Sequence, residues 1–132
     1  MPAYLLFAND LQTRTATWST TLLSLVEAPI IAEKGHACLD IDTFVMDNSN
    51  SKKEGVSPTH HKIDGYTPIA AYLGNECWCL GLELRPGKQR PMKESNAFLE
   101  RVLPRARGLT EQPMLLREDS GFDSKTHLAL IE

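Results

Sequence analysis

The stretch Leu39-Asp40-Ile41-Asp42-Thr43 alternates apolar and acidic residues with a period of two. That period marks a β-strand, whose successive side chains point to opposite faces. Asp40 and Asp42 therefore share one face. A strand inside a sheet avoids two charges on one face unless that face holds something, because a buried unpaired charge is costly. A second acidic strand end lies at Met114-Leu115-Leu116-Arg117-Glu118-Asp119-Ser120-Gly121-Phe122, an apolar run that stops on an aspartate. Carboxylates on neighbouring strands are what a magnesium-dependent phosphoryl-transfer site requires. Magnesium takes oxygen ligands, usually one or two carboxylates beside water and substrate phosphate. The plain alternative is that these aspartates cap loops or face water.

Periodicity orders the rest of the chain. Residues 15–34 carry Trp18, Leu22, Leu25 and Val26 at helical spacing, with Pro29 interrupting the helix and Gly35 suited to its end. The first strand is expected from Cys38 to Met46. Asp47 to His61 is polar and reads as a long loop, of a length that is usually functional or mobile. Tyr66–Leu73 and Cys77–Leu84 read as a hairpin around a Gly74-Asn75 type II′ turn. Arg85–Lys93 is a basic connector punctuated by Pro86, Gly87 and Pro91. A helix is expected from about Ser95 to Arg107, capped by Ser95 or Asn96 and ended by Gly108, with Pro104 costing it one hydrogen bond. A strand over 114–118 follows, and Asp123 is expected to cap a final helix running to the last residue.

The expected architecture is α/β. Three strands form a meander, and a fourth returns through a helix to lie parallel beside the first, with helices flanking the sheet. Asp40 or Asp42 would then neighbour Asp119, at strand ends where ligands of such sheets often sit.

Charge narrows the partners. The chain of 132 residues is of one-domain size, and its net charge of −3 excludes a basic nucleic-acid-coating protein. Any DNA binding must come from local clusters. Lys52, Lys53, His60, His61 and Lys62 form one; Arg85, Lys88, Arg90 and Lys93 form a second; Arg101, Arg105 and Arg107 form a third. The first two flank the candidate strands and are assigned to phosphate contacts, chiefly Lys52, Lys53, His60, Lys62, Arg85, Lys88 and Arg90. The third reads as a solvated helix face.

Other constellations are weaker. Cys77 and Cys79, with His36, Cys38, His60 and His61, lack the Cys-x₂₋₄-Cys spacing of structural zinc and read as cysteines buried on a strand. Ser57, His60 and Asp64 lack a nucleophile elbow. Three cysteines without scaffold spacing fit a reducing compartment, and no segment resembles a signal peptide or membrane span. A cytoplasmic protein is expected.

The ordered motifs LDID (39–42), KEGV (53–56), DGYTP (64–68), ELRPG (83–87) and EDSG (118–121) resemble the DDE transposases of bacterial insertion sequences. The resemblance covers roughly residues 36–130. It implies a ribonuclease-H-like mixed sheet with catalytic acids on the first strand, at the end of the fourth and on a later helix. Asp42 is similar to the first acid, with Asp40 the alternative, because the residues after Asp42 (Thr43-Phe44) depart from many relatives. Asp119 is similar to the second. The third has no counterpart, since Glu132 lies too close to Asp119. The resemblance further implies DNA transposition, two Mg²⁺ ions (Mn²⁺ substituting) on Asp42, Asp119 and Asp40, and DNA ends as partner. It divides the chain into a helical segment (1–35) and a partial catalytic domain (36–132), inactive by itself. The alternatives are a non-catalytic module that binds DNA or forms a homodimer through an open sheet edge, and a stand-alone nuclease using Asp47, Glu54 or Glu118.

Overall fold

The computed structural model describes residues 34–129, together with Leu23, Leu25 and Ile30. The helix expected over 15–34 falls largely outside these residues. Leu23 and Leu25 have helical backbone, and Leu23 and Ile30 pack against the core. The end of the last expected helix, including Glu132, also falls outside.

The main sheet contains β1 (Ala37–Thr43), β5 (Ile69–Leu73), β6 (Trp78–Glu83) and β7 (Met114–Arg117), in the order β6-β5-β1-β7. β1, β5 and β6 form the antiparallel meander, and β7 lies parallel beside β1. This is the α/β mixed sheet that the sequence predicts. A parallel neighbour needs a crossover, and helix α1 (Ser95–Leu109) supplies it. Phe98, Leu99, Val102 and Ala106 lie on one face of α1 and are buried with Leu39, Ile41, Ile69, Ala71, Leu73 and Leu80 of the sheet. Each large apolar side chain buried there stabilises the fold by about 1.5–3 kcal/mol.

A second sheet, absent from the sequence reading, contains β2 (Met46–Asp47), β3 (Ser57–Pro58) and β4 (Asp64–Tyr66), in the order β2-β4-β3. It is the β1/β5 ladder continued around a corner. Thr43 pairs with Ile69, Phe44 N–H donates to the Pro68 carbonyl at 3.1 Å, and Met46 pairs with Tyr66 in unchanged register. The long strands expected at Cys38–Met46 and Tyr66–Leu73 are thus each broken at this corner. Pro68 has no N–H to give the ladder. The Thr67 N–H instead donates to the Arg85 carbonyl. The segment expected to be a structureless loop over 47–61 contributes the second residue of β2 and all of β3.

Four local expectations are corrected. The β5–β6 connection is not a two-residue turn: Cys77 N–H donates to the Gly74 carbonyl, and both Gly74 and Cys77 have positive φ. Neither Ser95 nor Asn96 caps α1. Glu94 holds that position in a left-handed conformation without a side-chain cap, while Ser95 Oγ donates to the Met92 carbonyl. Helix α2 (Lys125–Leu128) is capped by Ser124, whose Oγ accepts from His127 N–H, rather than by Asp123. Cys77 and Cys79, read as buried, are exposed.

β6 carries a bulge. Cys79 pairs with Tyr72 and Gly81 with Ala71, so Leu80 has no partner across the ladder. An unpaired bulge residue has a free carbonyl to offer. Here Arg105 Nη1 donates to it at 2.8 Å, tying α1 to the sheet.

Candidate active site

The β1/β7 register governs where the acidic side chains lie. Asp40 is the parallel partner of Arg117. Arg117 Nε donates to Asp40 Oδ1 at 2.5 Å and Nη2 to Oδ2 at 2.7 Å, a two-point ion pair. Two residues beyond this pair lie Asp42, still on β1, and Asp119, just past the end of β7, at the same end of the sheet. Asp42 is exposed, and its Oδ1 accepts from the Thr43 N–H at 2.8 Å. Asp119 caps a short 3₁₀ turn (Ser120–Phe122), its Oδ1 accepting from Gly121 N–H at 2.7 Å.

Asp119 also borders a cleft of about 490 Å³. Thr43, the residue after Asp42, reaches the same cleft. The remaining wall comes from the end of β3 and the turn after it (Pro58, Thr59, His60), from Thr67 just past β4, and from the connector Gly87–Pro91, which brings Lys88 and Arg90. One carboxylate, two exposed cations and one imidazole thus share a single depression. Net charge does not reveal this juxtaposition.

The other expected contacts divide. Lys52 and Lys53 are exposed between β2 and β3, and Lys62 is exposed at positive φ in the turn before β4. None of the three borders the cleft. Arg85 corrects its expected role: it is 1% exposed and therefore presents no surface to DNA. Its Nε donates to Glu83 Oε1 at 3.1 Å and its Nη1 to the Pro91 carbonyl at 3.1 Å. Burial pulls its pKa below the ordinary arginine value, against the Glu83 carboxylate, which raises it. Arg101 completes the group by pairing with the other Glu83 oxygen. Burial likewise lowers Arg105, with Arg101 adding to the effect.

The supplementary acids are engaged. Glu118 Oε1 lies 2.7 Å from Nε2 of the buried His127, whose Nδ1 lies 2.8 Å from Asn96 Oδ1. Asp47 accepts from the hydroxyl and N–H of Ser49, and these bonds lower its pKa. Among the described residues, no three His, Cys, Asp or Glu side chains converge on one metal position. Asp42 and Asp119 nevertheless fit the donor chemistry of a divalent cation. Each has only one oxygen committed to a local N–H among the described residues, so the other is available.

Arg117 was the residue missed. Its signal lay in the sequence: it precedes Asp119 by two, as Asp40 precedes Asp42.

The chain matches the family model of the transposase DDE domain group 1 over residues 6–132. It belongs to that family. The match begins well before the motifs of residues 36–130, so the transposase domain family also accounts for the N-terminal stretch. No curated protein matches. No solved structure matches. The mixed sheet is compatible with the ribonuclease-H-like fold of DDE transposases, and members of this family act on DNA with divalent metals. Among the described residues, no helix of this transposase domain is long and apolar enough to cross a membrane.

Proposed function

We propose that residues 36–132 are the catalytic part of a DNA transposase of a bacterial insertion sequence, working in the cytoplasm on transposon ends. The observation that carries this reading is the register. Asp42 on β1 and Asp119 just past the end of β7 each follow the paired Asp40 and Arg117 by two residues, and Asp119 borders a cleft shared with His60, Lys88 and Arg90. Asp42 and Asp119 would hold Mg²⁺, or Mn²⁺ in its place. Bound there, the metal would supply charge stabilisation for both the attacking and the leaving oxygen.

The reaction is displacement at a DNA phosphorus. Water, or a DNA 3′-hydroxyl, forms the new P–O bond as the P–O3′ bond breaks, and the 3′ oxygen leaves. Lys88 and Arg90 neutralise phosphate charge and, with a hydrogen bond from His60, hold the strand in line. Lys52, Lys53 and Lys62 lie outside the cleft and extend the contact along the backbone. Such contacts fix position without reading sequence. Asp40, held by Arg117, braces β1 against β7.

Mn²⁺ titration followed by NMR tests the reading. Amide resonances of Thr43 and Gly121 are expected to broaden first, and Asp42→Asn or Asp119→Asn to abolish the effect. Uniform broadening across the surface would refute the metal assignment. Mn²⁺-dependent nicking of labelled duplex DNA that survives both substitutions would refute the catalytic one.

A second reading, a dimerising module, has one supporting observation. Among the described residues, β7 is an edge of the main sheet, and its Leu115 is 48% exposed. Light scattering decides it: a homodimer lost in Leu115→Lys supports the module, and a monomer at high concentration excludes it.

A further inference from the structure

The connector between β6 and α1 is anchored by a side chain that lies beneath it. The backbone of Arg85 begins the connector, and its buried guanidinium reaches the Pro91 carbonyl at the far end. Glu83 holds that guanidinium from the side and is itself held by Arg101. The middle of the connector is tied as well. Thr67 Oγ1 donates to the Gly87 carbonyl at 2.9 Å, and Lys88 N–H donates to Ser57 Oγ at 3.0 Å. A Cβ on Gly87 would overlap the carbonyls of Ser57 and Gly65, so the backbone lies directly against the second sheet. Pro91 meets the opposite wall too: a Cβ on Gly121 would come within 3.3 Å of Pro91 Cγ, and Gly121 N–H holds Asp119.

A connector that merely joined a strand to a helix would gain nothing from a buried arginine. Desolvating the guanidinium costs free energy, and its Nη2 is buried with no partner among the described residues. What the arrangement does supply is fixed geometry between two walls of one cleft, which a polar site needs and a tether does not. We propose that Arg85 is a positioning residue. It sets the placement of Lys88 and Arg90 on one wall and, through Pro91 and Gly121, of Asp119 on the other. What the walls bind rests on the DNA reading above; the coupling between them rests on the contacts alone.

The test uses the whole chain and three variants. Arg85→Met removes the guanidinium and keeps the stem. Arg85→Lys retains a charge for Glu83 without spanning to Pro91, and serves if Arg85→Met does not fold. Leu99→Ala lowers stability from the core, away from the connector. Arg85→Met and Arg85→Lys are expected to shift the Lys88 and Gly121 amide resonances and speed their hydrogen exchange, whereas Leu99→Ala leaves both amides in place. Unmoved amides in the Arg85 variants would overturn the inference, whatever DNA does. On a short DNA duplex, the slope of log Kobs against log salt should flatten by about two in Arg85→Met, as in Lys88→Ala/Arg90→Ala, and stay at the wild-type value in Leu99→Ala. A wild-type chain that binds no duplex overturns the DNA reading, and the amide measurement then decides the coupling alone.

Discussion

Arg117 on β7 grips Asp40 on β1 through two hydrogen bonds, of 2.5 Å and 2.7 Å, between residues that are partners in the parallel ladder. The pair commits one of the two β1 aspartates to holding strands together. Asp42 keeps the freer carboxylate, and that difference favours it over Asp40 as the metal ligand proposed above.

The Arg117–Asp40 pair should contribute little to stability despite its geometry. Its side chains are 52% and 34% exposed. A double-mutant cycle with Arg117→Ala and Asp40→Asn is expected to give a coupling of about 1 kcal/mol, the upper end for exposed pairs, shrinking as salt is added. A salt-insensitive coupling several times larger would mean the pair is shielded from solvent.

Asp119 caps the 3₁₀ turn, and one substitution separates that role from the metal binding proposed for it. Asn can still accept the Gly121 N–H, so Asp119→Asn should leave stability within a few tenths of a kcal/mol of wild type. Asp119→Ala loses the cap and should cost about 1 kcal/mol. Both should lose Mn²⁺ broadening at Gly121. Broadening that persists in Asp119→Asn would remove this carboxylate from the metal site.

Gly81 lets α1 approach β6. A Cβ there would sit 2.9 Å from Val102 Cγ2 and 3.1 Å from Phe98 Cζ. Gly81→Ala should destabilise by about 1–3 kcal/mol in urea unfolding, as overpacking does. Adding Val102→Ala should restore part of that loss. Strictly additive losses would show that the helix moves aside instead.

Tyr72 should titrate above its ordinary value of 10.0, because burial, then the charges of Cys79 and Cys77, disfavour the phenolate. The folded state therefore binds this proton more tightly than the unfolded chain. The resulting stabilisation is complete below the ordinary value and is lost as pH rises past it through the folded value. Tyr72→Phe should flatten the alkaline limb of the stability profile. An unchanged limb would place the cause elsewhere.

The sheet order was legible because each of its determinants is local or periodic. The alternation of Leu39 to Thr43, the helical spacing of Phe98, Leu99, Val102 and Ala106, and the turn near Gly74 leave few ways to assemble a sheet. The second sheet was not legible. Its strands are two or three residues long, too short for a period to register, and they exist because the β1/β5 ladder continues past a corner. Arg85 was misread for a related reason. Its place in a run of basic residues suggested surface, but burial depends on Glu83 and Pro91 folding around it. In the site, the aspartates were visible as residues, while the cleft joining Asp119 to Lys88, Arg90 and His60 needed three separate segments to meet.

The Asp40–Arg117 contact spans 77 residues of chain. The β1–β5–β6 meander can zip from neighbouring segments, but β7 must wait for the connector and α1 to be laid down. Contacts this distant in sequence carry the larger closure entropy and form late. The end of the sheet bearing Asp42 and Asp119 is therefore expected to be the last part to consolidate as the chain emerges from the ribosome, so a nascent protein has no assembled acidic centre until β7 docks.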